Sequence, residues 1–156
     1  SKATGIYLNS MLAVIEATRA GYDEAILLTD DGRVADGSGE NIFIVKDEII
    51  STPDLSVSIL PGITRETVME IAQALGYAVH ERELIRSDLY LADEVFMCGT
   101  AAEVTPVRSV DDHEVGAPGP VTKAIQNAFF DVVRGRDERW SRWLEYAEKT
   151  PAAPGS

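Results

Sequence analysis

The sequence predicts an α+β domain: an irregular, barrel-like sheet with flanking helices. Three observations carry this. Hairpin signals predominate early, helical periodicities separate the later strands, and the two do not alternate as a doubly wound sheet requires. The 156 residues suit one domain with a sizeable core, and 45% apolar with 26% charged residues is an ordinary globular composition.

Leu8, Met11, Leu12 and Ile15 recur at helical spacing, predicting a helix over 7–20 that stops at Gly21. Residues 24–29 read as a buried strand. Asp30-Asp31-Gly32 supplies a tight turn, and 33–36 the return strand, broken by Gly37-Ser38-Gly39. Residues 41–46 form a further strand, turning through Asp47-Glu48 into Ile49-Ile50. Pro61-Gly62 launches a helix over 64–75 with Val68, Ile71, Ala72 and Leu75 on its apolar face. A strand over 77–84, a short helix over 86–92 and strands over 94–98 and 104–108 follow. Pro120 suits the first turn of a helix reaching Arg134. Asp137 is placed to cap a last helix carrying Trp140, Trp143, Leu144 and Ala147, and 150–156 reads as a frayed tail.

A net charge of −12 opposes nucleic acid and anionic membrane surfaces. No apolar run approaches a bilayer-spanning length, and the N-terminal residues lack a signal-peptide pattern. Cys98 is the single cysteine, so an intrachain disulfide is impossible and a reducing, cytoplasmic compartment is expected. His80 and His113 have no ligand-spaced cysteine or histidine beside them, so no metal site is expected.

Three glycine-containing turns carry the candidate chemistry. Leu60-Pro61-Gly62-Ile63-Thr64-Arg65 opens a helix, whose first N–H groups lack intrahelical acceptors and lie at the positive end of the dipole. Such an end binds phosphate, although the same residues also fit a plain start with Thr64 as cap. Cys98-Gly99-Thr100-Ala101-Ala102-Glu103 fits either an anion-binding nest of backbone amides or an ordinary strand connection. Asp36-Gly37-Ser38-Gly39-Glu40-Asn41 sets two acids beside two glycines, for a buried cation or for solvent. Residue chemistry alone treats Lys2 as a terminal surface charge.

Taken together, these segments resemble a known family. Val34-Ala35-Asp36-Gly37-Ser38-Gly39-Glu40-Asn41-Ile42-Phe43 is similar to the acidic-Gly-x-Gly-Glu-Asn segment of branched-chain aminotransferases. Leu60 to Arg65 and Gly99-Thr100-Ala101-Ala102-Glu103-Val104-Thr105-Pro106-Val107 match two further signatures. Lys2-Ala3-Thr4-Gly5-Ile6-Tyr7-Leu8-Asn9-Ser10 resembles the segment that holds the cofactor lysine, and Gly119-Pro120-Val121-Thr122-Lys123 the closing helix. The likeness spans 2–147 and identifies the chain as a member of the fold-type-IV pyridoxal-phosphate enzymes, of D-amino-acid-aminotransferase-like fold.

The resemblance implies transamination between leucine, isoleucine or valine and 2-oxoglutarate, with pyridoxal 5'-phosphate as cofactor. It implies that Lys2 holds the cofactor aldehyde covalently and shuttles the substrate proton, and that Tyr7 bonds the phenolic oxygen. Asp36 takes the place of the acid on the pyridine nitrogen, where the family's residue is glutamate. Leu60 packs on the ring, and Gly62, Ile63, Thr64 and Thr100 form the phosphate site. Thr100, Ala101 and Ala102 receive the substrate carboxylate. The expected partners are small amino and 2-oxo acids and further copies in a homodimer or larger homo-oligomer. Residues 1–148 correspond to the family's C-terminal cofactor-binding domain and 149–156 to a tail, with the small N-terminal domain outside this chain. Two alternatives stay open: a non-catalytic interaction domain of the same fold, and a related enzyme such as D-amino-acid transaminase or aminodeoxychorismate lyase.

Overall fold

The computed structural model describes residues 18–37, 40–54, 62–99, 103–116, 118–136 and 138, with the backbone alone at Asp36. The first element is the hairpin β1 (Ile26–Leu28) and β2 (Val34–Gly37), with a register shift between Leu27 and Leu28. The main sheet contains β3 (Asn41–Lys46), β4 (Ile49–Thr52), β5 (Val79–Glu81), β6 (Glu94–Gly99) and β7 (Glu103–Val107), in the order β5-β4-β3-β6-β7. Only β4 and β5 pair in parallel, joined by the crossover helix α1 (Ile63–Ala74). Helix α2 (Arg86–Leu91) precedes β6. A small hairpin, β8 (Ser109–Val110) and β9 (His113–Glu114), and helix α3 (Pro120–Val133) complete the described chain.

The α+β class holds. Closure does not: among the described residues the strands form three separate sheets, not a barrel. Five of the six residues of β3 and five of β6 are buried, because both sheet faces are covered. The period of two then sends alternate side chains to opposite cores. Phe43, Val45, Phe96 and Cys98 join Val68, Ile71, Ile125 and Phe129 of α1 and α3. Ile42, Ile44, Val95 and Met97 join Val34, Leu84, Leu89 and Val110. Phe43 and Phe96 face each other across the strands, stacked with centroids 4.9 Å apart. Among the described residues no helix is long and apolar enough to cross a membrane.

Several expected boundaries shift. The strand expected over 77–84 is only Val79–Glu81, and that over 24–29 is Ile26–Leu28. Of the helix expected over 7–20, Thr18 and Arg19 are helical and Ala20 is in a turn; 7–17 lie outside the described residues, as do Asp137, residues 139–149 of the expected last helix and the tail. The β8–β9 hairpin had no counterpart in the sequence reading. Its turn places Asp111 and Asp112 at φ 48° and 65°, the same left-handed pair that Asp47 and Glu48 adopt at 51° and 62°.

That turn is tied to α2. Asp111 accepts from Arg86 Nε at 2.9 Å and Nη2 at 2.5 Å, and from the Tyr90 hydroxyl at 2.6 Å. The Tyr90 hydrogen bond, then the Arg86 guanidinium, hold the Asp111 carboxyl below its usual range. A carboxyl lowered on folding stabilises above its unfolded pKa, about 4, and that stability is lost as pH falls through the lower folded value. Asp111→Asn is therefore expected to reduce stability at neutral pH and to leave it unchanged at the acid limit. Urea midpoints measured from pH 7 downwards check this; parallel curves at every pH would exclude the linkage.

Candidate functional site

The three glycine-containing turns converge on one end of the main sheet. Asn41 opens β3 and pairs with Cys98, one residue before the end of β6. A Cβ on Gly37 would meet Met97 Sδ and Cε at 3.3 Å, so the acidic loop packs directly on β6. A Cβ on Gly62 would meet Asn41 Oδ1 at 3.0 Å, which brings the start of α1 against the start of β3. The β6–β7 connection leaves from the same end, closing between Gly99 and Glu103, with Glu103 at φ 55°.

The beginning of α1 is open. Gly62 is its N-cap, in extended backbone, and no side chain bonds the cap. Thr64 therefore lies inside the first turn and is not its cap. The N–H groups of Ile63, Thr64 and Arg65 have no intrahelical acceptor, since the first helical bond runs from Glu66 N to Gly62 O at 3.1 Å. Ile63 is 68% exposed and Thr64 is half-buried, so the helix end faces outward. A side chain on Gly62 would occupy the space in front of those donors. The arrangement fits a phosphate: fixed N–H donors, the positive dipole end and no competing acceptor on the cap.

Gly62→Ala tests that fit. The new methyl must displace Asn41, which is only 8% exposed. It is expected to weaken anion binding about tenfold with a stability loss near 1 kcal/mol. Titration with pyridoxal 5'-phosphate and thermal melting check both; unaltered binding would remove Gly62 from the site.

The acidic loop is partly described. Asp36 stands opposite Leu27 in the β1–β2 ladder. Glu40 is half-buried, and burial, with a smaller push from the neighbouring Glu24 carboxylate, raises its carboxyl above the usual range. A cleft of about 940 Å³ runs beside it, lined by Glu24, Glu40, Met97, Val107 and Arg108 among others. Gly62, Ile63 and Thr64 do not line that cleft. Lys2, Tyr7, Leu60, Thr100, Ala101 and Ala102 lie outside the described residues.

The family model described as "Amino-transferase class IV" matches residues 2–110. The chain belongs to the class IV aminotransferase family. It is 52% identical over 147 residues to the branched-chain-amino-acid aminotransferase of Escherichia coli, covering 93% of this chain and 48% of that protein. It is 49% identical over 145 residues to the Pseudomonas aeruginosa enzyme of the same name, covering 92% and 47%. Among solved structures, the branched-chain amino acid aminotransferase of Thermobaculum terrenum in its PLP-form superposes with a TM-score of 0.86. It is 47% identical over 88% of this chain and 46% of that one. The chain thus spans about half the length of the curated relatives it matches.

The class IV fold accounts for the convergence of the three turns. Two contributors escaped the sequence reading. Asn41 stood inside a matched motif, with no sign that it would touch Gly62. Arg65 had a signal: a cation in the first turn of a helix opposes the dipole, so it needs another reason to be there.

Proposed function

We propose that this chain is the cofactor-carrying part of a pyridoxal 5'-phosphate-dependent transaminase that moves amino groups between leucine, isoleucine or valine and 2-oxoglutarate. The observation that carries the reading is the uncapped start of α1, packed through Gly62 on Asn41 of the acidic segment. Identity near 50% to branched-chain-amino-acid aminotransferases supports the substrate class.

When bound, the cofactor supplies an electron sink for the bond-breaking at the amino acid's Cα. The N–H groups of Ile63 and Thr64, with Thr100, hold its phosphate, and Gly62 leaves room for it. Asp36 keeps the pyridine nitrogen protonated, Tyr7 bonds the phenolic oxygen and Leu60 packs on the ring. With the cofactor bound, Lys2 would hold its aldehyde carbon and, once released as the neutral amine, would carry the substrate's Cα proton. Thr100, Ala101 and Ala102 receive the substrate carboxylate. Assembly into a homodimer or larger homo-oligomer and a cytoplasmic location belong to the same reading. Cys98, buried and the single cysteine of the sequence, suits a reducing compartment.

The test is direct. The protein is mixed with pyridoxal 5'-phosphate, reduced with borohydride and mapped for the labelled lysine. A label on Lys2 is expected; a label on another lysine, or none, overturns the cofactor role. Assays pairing leucine or D-alanine with 2-oxoglutarate then separate the branched-chain reading from a D-amino-acid transaminase.

A further inference from the structure

Arg65 is the buried cation of the described chain that the proposed chemistry leaves without a part. It is 4% exposed, in the first turn of α1. Its Nη2 donates to the Pro53 carbonyl at 3.1 Å and to Glu81 Oε1 at 2.7 Å. Its Nε has no partner among the described residues.

On stability grounds this is a poor place for an arginine. The positive charge faces the positive end of the helix dipole. Removing a guanidinium from water is costly, and its one carboxylate partner among the described residues, Glu81, is 43% exposed and therefore screened. A buried Nε without an acceptor adds a further penalty.

What the side chain does accomplish is geometric. Pro53 directly follows β4, and Glu81 ends β5, where Thr52 and Glu81 stand opposite each other in the parallel ladder. Pro53 and Gly62 flank residues 54–61 in sequence. One guanidinium nitrogen thus links the first turn of α1 to the carbonyl before that segment and to the neighbouring strand end. The link runs from a backbone position one residue beyond Thr64.

We propose that Arg65 is a positioning residue for the anion site: it pins the first turn of α1 to the ends of β4 and β5, so that the Ile63 and Thr64 N–H groups are held at fixed direction and spacing for a phosphate. This rests on the reading of that turn as the phosphate site. Fixed donors bind an anion better than donors that must first be ordered, and small misplacements carry large penalties.

The experiment compares pyridoxal 5'-phosphate with pyridoxal, which lacks the phosphate, by spectrophotometric titration of the full chain. The wild-type protein is expected to prefer the phosphorylated form. Arg65→Met keeps the length and apolar stem but neither hydrogen bond. It is expected to reduce that preference about tenfold, leaving pyridoxal binding unchanged. A purely structural role would weaken both ligands alike, and an unchanged ratio overturns the inference. If Arg65→Met does not fold, Glu81→Gln decides: it keeps the Pro53 bond, and the preference should fall about threefold. A ratio unmoved by Glu81→Gln in that case overturns the inference as well. Wild-type protein that binds the two forms equally overturns the phosphate site itself, and this inference with it. A wild-type preference that survives the substitutions overturns Arg65 alone.

Discussion

Under the proposed function, Lys2→Ala is expected to lower leucine:2-oxoglutarate transamination by at least about 10³-fold, because on that reading one side chain supplies both covalent attachment of the cofactor and the proton shuttle. Lys2→Arg should be equally inactive. Its guanidinium stays protonated and can neither attack an aldehyde nor accept a proton. The visible absorbance of the protein–cofactor mixture should return to that of free cofactor in both variants. Steady-state rates and spectra recorded side by side check this. The chain has four lysines, Lys2, Lys46, Lys123 and Lys149, so a residual signal can be assigned by mapping. Lys46 is half-exposed and paired with Asp93 at 3.4 Å, and a label there would mark adventitious reaction. Activity above about a tenth of wild type in Lys2→Ala would remove Lys2 from the mechanism.

Gly119→Ala is expected to cause the largest loss of stability, about 3 kcal/mol, or a melting temperature lower by roughly 10 °C. Helix α3 begins at Gly119 without a cap from its own first residues. Its donors are met from across the sheet: Glu94 Oε1 accepts from Thr122 N at 2.8 Å, and Oε2 from Val121 N at 3.3 Å. Glu94 is 8% exposed, and a Cβ on Gly119 would lie 2.6 Å from its Oε1 and 2.7 Å from its Cγ. The carboxylate cannot move aside without leaving those N–H groups unpaired inside the protein. Denaturant unfolding monitored by circular dichroism checks the magnitude. A loss under about 0.5 kcal/mol would mean that Glu94 has an alternative position.

Much of the fold was legible because its longest elements have strong local patterns. The apolar runs of β3 and β6 and the 3.6-residue stripes of α1 and α3 come from burial that the chain encodes position by position. Pro120 lies at the first position of α3, where its missing N–H costs nothing. The β8–β9 hairpin escaped because its strands are two residues each, too short to show a period. The strand over 77–84 was read too long because only Val79, His80 and Glu81 find partners on β4. Pairing depends on a neighbour elsewhere in the chain, and periodicity does not report it.

The site divides in the same way. The motifs, their order and the family they belong to were determined by the sequence alone, because signature residues at close spacing are a local property. The tertiary structure decided what those motifs do to one another. The Asn41–Cys98 register brings the turns to one end of the sheet, and contact with Asn41 makes a side chain at position 62 costly. The sequence allowed Thr64 as the cap of α1; the backbone angles place the cap at Gly62. The partners of Arg65, Pro53 and Glu81, lie 12 and 16 residues away, and folding alone brings them together.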